Sequence, residues 1–364
     1  MKKPLGIVIN VSAAYIVWRV ALWIIESVAP AFWPLYQRFL GPSYWANLDG
    51  VYYLTIARGG YGPYQQAFFP LYPLLIRWIT VLTGINDISV SLIISHISFY
   101  LGILLFYALA EDYNKSTARW GLLLFLVFPT SFFFSAIYTE SLFLFLSALC
   151  LFSSRKKWWL LAGISGGLAS GTRMFGIFLF PAILCEYFSQ KLRNRSILSF
   201  ASLLLIPVGL CSYMAYLYFS IGDPFAFFHV QPAFGAERSG NTLIFLPQVI
   251  WRYMKIFTSV SPFSLTYAIS VFEFAVLSGG LWVLWWGYKH HVRMLYLIYS
   301  LAILIIPTLT GTLSSLPRYV LSAFPLFFMF GSMHNMWIKI LAFLIFMVGF
   351  ILSATAFLRG YFIA

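Results

Sequence analysis

The stretch PYQQAFFPLYPLLIRWITVLTG, residues 63–84, decides the topology of this chain. Its second half is apolar enough to enter a bilayer, yet it carries Pro63, Pro70, Pro73 and Arg77. If it crossed the membrane, every later basic loop would change sides. If it lies in the interface or re-enters, the basic loops agree with one another. Lys115 with Arg119, Arg155-Lys156-Lys157, Lys191 with Arg193 and Arg195, Lys289 with Arg293, and Lys339 then share a side with Lys2-Lys3. Cytoplasmic loops carry the excess of Lys and Arg, so residues 63–84 read as an interfacial or re-entrant segment and the N-terminus as cytoplasmic. On that map thirteen of the 23 Lys and Arg are cytoplasmic, nine are external and Arg19 lies within a helix.

Composition explains why a membrane map is needed. The 364 residues are 61% hydrophobic and 9% charged, with a mean hydropathy of +0.86. A soluble domain carries about 25% charged residues. Many apolar runs reach or approach the ~20 residues that span a bilayer. Lipid demands internally satisfied backbone groups, so the spans are helices; the alternation of a barrel is absent. The expected fold is an all-α polytopic membrane bundle of about eleven transmembrane helices. The spans fall near 6–28, 88–110, 120–136, 141–154, 158–172, 174–189, 198–219, 265–287, 294–312, 319–333 and 338–358. They form a single domain over 1–364, with external loops at 29–87 and 220–264 and interfacial helices in the first. The net charge of +13 would suggest nucleic acid in a soluble protein. Here the basic cytoplasmic loops account for most of it, and no nucleic-acid partner is expected. Cys150, Cys185 and Cys211 lie in apolar runs without metal or redox spacing and read as packing residues. The first 33 residues resemble a signal peptide with Ala29-Pro30-Ala31 as its cleavage site. The long apolar run and Arg19 point instead to a retained anchor helix.

Eight of the nine external cations are arginines: Arg38, Arg58, Arg77, Arg173, Arg238, Arg252, Arg318 and Arg359, with Lys255 the exception. The planar guanidinium fork fits phosphate oxygens bidentately. Such a face suits an anionic ligand, although lipid headgroups would serve the same residues. The acids are few. Asp49, in the first external loop, reads either as a general base or as half of an Asp-Gly turn pair. Glu140 in YTESLF stands where an acid favours a helix N-terminus, but an acid at membrane depth is costly unless used or paired. Arg173 falls in the turn SGTRMFG, where Gly166, Gly167, Gly171 and Gly176 permit close helix approach; it also suits a snorkelling side chain. Arg318 in LPRYVLSAFP precedes a span on the same side, and His229 and Glu237-Arg238 lie in the second external loop. No HExxH, DxD or Cys/His cluster makes a metal case, and no P-loop or GxGxxG points to nucleotide chemistry. Asp49, Glu140, Arg173 and Arg318 thus converge on one side of an apolar bundle. That arrangement suits an amphiphilic substrate, its tail between helices and its polar head at the surface.

Several blocks carry a family resemblance. They are Asp49-x-x-x-Tyr53-x-x-Ile56-Ala57-x-x-Gly60-Tyr61, then Ala67-Phe68-Phe69-Pro70-Leu71-Tyr72-Pro73, and Tyr138-Thr139-Glu140-Ser141-Leu142-Phe143. Further on come Thr172-Arg173 with Gly176, and Arg318-Tyr319 ahead of Phe324-Pro325. In this order they resemble the PIG-V family, the second mannosyltransferase of GPI-anchor assembly and its prokaryotic relatives, within the GT-C superfamily. Leu48 stands where that family places Trp directly before the Asp.

The resemblance implies a membrane glycosyltransferase that moves a sugar, mannose in the family, from a polyprenyl or dolichyl phosphate to a glycolipid or glycan acceptor with inversion. It makes Asp49 the expected catalytic residue. Arg173, Arg318, Glu140, Tyr53 and Tyr61 become the candidates for donor phosphate or sugar binding. Tyr53, Tyr61 and Tyr72 would either stack on sugar or anchor the chain at the interface. The lipid-linked donor, its acceptor and the membrane lipids are the expected partners. The expected location is the plasma membrane of a prokaryote or the endoplasmic reticulum of a eukaryote, with the site facing outside or the lumen. A transporter or lipid flippase is the rival class, since ionisable residues and broken helices occur there too. A non-catalytic scaffold would leave Asp49 and the arginine excess without a reason.

Overall fold

The computed structural model describes residues 2–36, 43–191 and 196–363, the side chains of 2–4 excepted. Arg38, Arg193 and Arg195 of the charge map, with the side chains of Lys2 and Lys3, lie outside the described residues. All regular structure among the described residues is helical. The first half runs α1 (Lys2–Phe32), α2 (Asp49–Gly59), α3 (Leu71–Thr83), α4 (Asp87–Glu111), α5 (Lys115–Leu126), α6 (Glu140–Arg155), α7 (Trp159–Thr172) and α8 (Leu179–Phe188). Then follow α9 (Ile197–Leu203), α10 (Val208–Ile221), α11 (Ala226–His229), α12 (Leu246–Ser259), α13 (Leu265–Lys289), α14 (Met294–Ile305), α15 (Leu316–Tyr319), α16 (Pro325–Gly331) and α17 (Met336–Leu358).

Local chemistry sets several boundaries. Asn86, Asn114, Ser264 and Asn335 cap α4, α5, α13 and α17, their side-chain oxygens accepting first-turn N–H groups. α3 follows Pro70 and stops at Gly84, whose φ of 71° is the left-handed conformation glycine takes freely. Its 13 residues rise about 20 Å, short of a ~30 Å hydrocarbon core.

The protein is a multi-pass membrane protein, but its spans are fewer in full length than hydropathy suggested. Four described helices are long and apolar enough to cross: Leu5–Phe32, Asp87–Glu111, Leu265–Lys289 and Met336–Leu358. A fifth arises if α9 and α10, bent by 45°, count as one span. The other expected spans are broken or short. The 120–136 span is α5 followed by a 3-10 turn at Ser131–Ser135. The 141–154 and 158–172 spans are α6 and α7, of 16 and 14 residues. The 174–189 span is a 3-10 turn plus α8, the 294–312 span is α14 plus Ile306–Thr310, and the 319–333 span divides between α15 and α16. Hydropathy cannot separate apolar side chains that face lipid from those that face protein. Every residue from Phe128 to Leu144 is buried, and backbone breaks at membrane depth are tolerated when protein covers them.

Glycines let the helices cross closely. A Cβ at Gly209 on α10 would fall 2.0 Å from Gly167 O on α7, and one at Gly163 would fall 1.9 Å from Ser202 O. Nothing larger fits there. α1 meets α4 along a polar seam: Ser12 Oγ and Tyr100 Oη are 2.8 Å apart, and Tyr15 Oη and His96 Nδ1 3.2 Å. Arg19, half-buried, donates to Ser135 Oγ at 2.9 Å. Cys150 is buried in packing, whereas Cys211 is exposed on the outer face of α10.

Candidate active site

Asp49 is presented by a tight turn. Gly50 N–H donates to Asn47 O at 3.1 Å, which closes the turn around Leu48 and Asp49. Leu48 is held at φ 55°, ψ −118°. A non-glycine residue there costs roughly 1–3 kcal/mol and persists only when its surroundings over-determine it. Those surroundings are visible. Tyr138 Oη donates to Asn47 O at 2.9 Å and accepts from Asp49 N–H at 3.2 Å. The Asn47 side chain donates to Phe357 O on α17 at 3.0 Å. A Cβ at Gly50 would crowd Ile137 O, at 3.3 Å. The start of α2 is therefore clamped between α17 and the buried 136–139 segment.

Four charges join in a chain. Arg318 Nη1 donates to Asp49 Oδ2 at 2.5 Å, and its Nε lies 3.5 Å from Glu140 Oε1. Arg173 Nη1 lies 2.5 Å from the same Oε1. Glu140 opens α6, where the helix dipole favours an acid; Arg173 ends α7 in extended backbone; Arg318 sits on the single turn of α15. The Glu140 side chain is only 2% exposed and its Oε2 has no hydrogen-bond partner among the described residues, while the Asp49 side chain is 24% exposed, toward a cavity. Both guanidiniums face the Tyr319 ring, with CZ 5.6 Å from its centroid. Burial opposes the charge on Arg318, but the carboxylates of Asp49 and Glu140 outweigh it and hold the guanidinium well above its ordinary range.

The quartet borders a cavity of about 1020 Å³. Asp49, Glu140, Arg173 and Arg318 line it with Tyr53, and aromatic side chains such as Phe68, Phe69 and Phe234 form its apolar walls. Tyr53 is buried, shares a hydrogen bond with Thr139 Oγ1 at 3.3 Å, and burial keeps its hydroxyl well above the usual phenol range. Tyr61 is not on the cavity wall: its hydroxyl donates to Phe68 O at 2.6 Å, and its ring packs against Tyr213 and Tyr216. It braces the loop that carries Phe68. Tyr72 is a strut of the same kind, fully buried and bonded to Ser95 Oγ and Ser91 O on α4. His229, at the end of α11, pairs at 2.7 Å with Asp223 in the preceding loop, both side chains exposed. Arg238, Ser314, Ser315 and Tyr319 also line the cavity. Sequence reasoning singled out neither serine; it had Arg238 only as one of the external arginines suited to an anionic ligand, and Tyr319 only within the Arg318-Tyr319 block.

Comparisons with known proteins agree on the architecture. The family described as dolichyl-phosphate-mannose-protein mannosyltransferase matches residues 65–219, less than half of the chain; the match includes Glu140 and Arg173 but neither Asp49 nor Arg318. No curated protein matches the chain. The crystal structure of ArnT from Cupriavidus metallidurans bound to undecaprenyl phosphate superposes with a TM-score of 0.53 at 14% identity, covering 95% of this chain and 76% of that one. The apo structure of the same protein gives 0.51 at 15% identity with the same coverage. The regular structure of the described residues is all helical, and the fold is shared with ArnT.

Proposed function

We propose that this protein is a membrane glycosyltransferase that moves a sugar from a polyprenyl or dolichyl phosphate to a hydroxyl of a glycolipid or glycan acceptor. The observation that carries the reading is Asp49, held by a strained turn and by Arg318 at the wall of a large, partly apolar cavity. The fold of ArnT, crystallised with undecaprenyl phosphate, supports a lipid-phosphate donor. The partial match to a dolichyl-phosphate-mannose family supports mannose as the sugar. The PIG-V resemblance of the Asp49, AFFPLYP and Glu140 blocks belongs to the same proposal, as does a site on the external or luminal side.

In the proposed reaction the acceptor oxygen attacks C1 of the sugar. The C1–O bond to phosphate breaks, and the polyprenyl phosphate leaves with the bonding pair. Asp49 takes the acceptor's proton; base assistance of this kind gives about 10²–10⁴-fold. Arg318 engages Oδ2, and no hydrogen-bond donor among the described residues reaches Oδ1, which suits it for the proton. Glu140 draws Arg173 and Arg318 together, and the arginine side of the cavity favours the negative charge that develops on the leaving phosphate. Attack from the face opposite the phosphate inverts C1.

The test is a proteoliposome assay with radiolabelled polyprenyl-phosphate mannose and an extract of membrane glycolipids. Label appearing covalently on an acceptor is the expected result. Label that changes leaflet without leaving its carrier would replace the transferase with a flippase.

A further inference from the structure

Five charged side chains line the cavity: Asp49, Glu140, Arg173, Arg238 and Arg318. Both carboxylates are engaged by Arg173 and Arg318. Arg238 is different. Its Nη2 donates only to hydroxyls, Ser315 Oγ at 3.1 Å and Ser314 Oγ at 3.4 Å, and no carboxylate among the described residues reaches ion-pair distance of it. Glu273 on α13, a buried acid that feels the Arg238 charge without forming an ion pair with it, accepts a hydrogen bond from Tyr253 Oη. The cavity therefore has one end where two acids and two arginines are joined in ion pairs, and one end where the Arg238 guanidinium makes no ion pair among the described residues, Glu273 acting on it only from farther away.

The backbone at the positive end is held in uncommon conformations. Gly235, Ala236 and Glu237 have φ of 74°, 56° and 47° in succession, directly before Arg238. Ser315 has φ 67°. For non-glycine residues such conformations mark places where surrounding contacts fix the chain. Those contacts are Arg252, which bonds Gly311 O and Ala236 O at 3.2 and 3.3 Å and pairs with Glu237 at 2.8 Å, and the backbone links Ser239 N–H to Thr310 O and Ile244 N–H to Leu309 O. Arg238 and the two serines are thus brought together by two loops 76–77 residues apart in sequence. A guanidinium with adjacent hydroxyls offers several donors in a small space, which is the chemistry that recognises a phosphate group.

We propose that Arg238, with Ser314 and Ser315, receives the phosphate of the lipid-linked donor, while Arg173 and Arg318 serve mainly to hold the two carboxylates. This assignment rests on the proposed transferase reading and makes its donor site specific. It orients the donor with the sugar toward Asp49 and the leaving phosphate toward Arg238.

The experiment uses the full chain in proteoliposomes, with Arg238→Ala, Arg238→Gln and Arg238→Lys checked for folding by thermal midpoint. Binding is measured for polyprenyl phosphate, for the matching polyprenol and for inorganic phosphate; transfer is measured with the sugar-linked donor. Loss of the guanidinium should weaken polyprenyl phosphate binding and raise donor KM by about tenfold or more, with kcat changed far less. Lys should restore part of the affinity, and polyprenol binding should not move. Unchanged polyprenyl phosphate affinity in a folded Ala or Gln variant overturns the site. Inorganic phosphate binding as tightly as the lipid phosphate overturns its assignment to a lipid-linked donor. Arg238-dependent binding without any covalent transfer would instead overturn the transferase reading and leave the phosphate site standing.

Discussion

Among the described residues, two ion-pair quartets have the same composition. At one end Asp49, Arg318, Glu140 and Arg173 join in series. At the other, Asp112, Arg155, Glu186 and Arg293 do the same, with contacts of 3.0, 3.9 and 3.5 Å. α6 links them, carrying Glu140 at its N-terminus and Arg155 in its last turn, about 22 Å apart along the axis. Each charge complements its end of the helix dipole. What differs is the surroundings. Asp112 and Arg293 have side chains 39% and 48% exposed, and their contacts join the ends of four helices at loops. The Asp49 quartet has shorter contacts, aromatic faces against both arginines, a strained turn under its acid and a 1020 Å³ cavity beside it. A shared set of ion pairs therefore says little about role; burial, strain and an adjoining cavity say more.

Substitutions at each end should separate the two quartets. Arg318→Ala removes the partner of Asp49 and one partner of Glu140, and leaves two carboxylates facing each other across the cavity wall. Transfer should fall about 10²–10³-fold, as when a preorganised charge is removed from an active site, and the thermal midpoint should drop as well. Retained transfer would mean that Asp49 needs no such partner. Glu140→Gln keeps the shape of the side chain and removes its charge, so the two guanidiniums repel; a loss of roughly tenfold in kcat is expected, smaller than that of Arg318→Ala. Tyr253→Phe acts at a distance. Its hydroxyl donates to Glu273 and accepts from Leu313 N–H, on the turn that leads to Arg318. Losing it leaves buried polar groups unpaired, with an expected cost of about 1–3 kcal/mol in denaturant unfolding. Arg155→Ala, in the other quartet, removes a largely buried guanidinium from Asp112 and Glu186, so it should cost about 1–3 kcal/mol and leave transfer unchanged. A large loss of transfer there would dissolve the distinction.

Parts of this arrangement are legible in the sequence and parts are not. With only ten acids in the chain, each one at a predicted membrane boundary stands out, and the basic-loop pattern sets Asp49, Glu140, Arg173 and Arg318 on one side. Asp49 and Arg318, 269 residues apart, are in contact in the fold. Their pairing is a tertiary fact that no local pattern encodes. The conformation of Leu48 is equally hidden: Leu is not a residue that signals positive φ, and only the anchors on Asn47, Asp49 and Gly50 impose it. Arg238 was visible as one external arginine among eight; that it makes no ion pair among the described residues, while Arg173 and Arg318 on the same cavity do, appears only in the fold. The helix count shows the same limit. Segments such as 120–136 have the hydropathy of a span, but protein rather than lipid covers much of them, so they break without penalty.

The most direct measurement substitutes an amide for the acid at the head of each quartet, Asp49→Asn and Asp112→Asn, and compares covalent sugar transfer from polyprenyl-phosphate mannose in proteoliposomes of equal protein content. Both changes keep side-chain size and remove one negative charge. Asp49→Asn should lose about 10²–10⁴-fold while Asp112→Asn keeps the rate of the parent chain. Equal rates for both variants, with transfer intact, would contradict the assignment of Asp49 as the base and of this cavity as the place where the sugar moves.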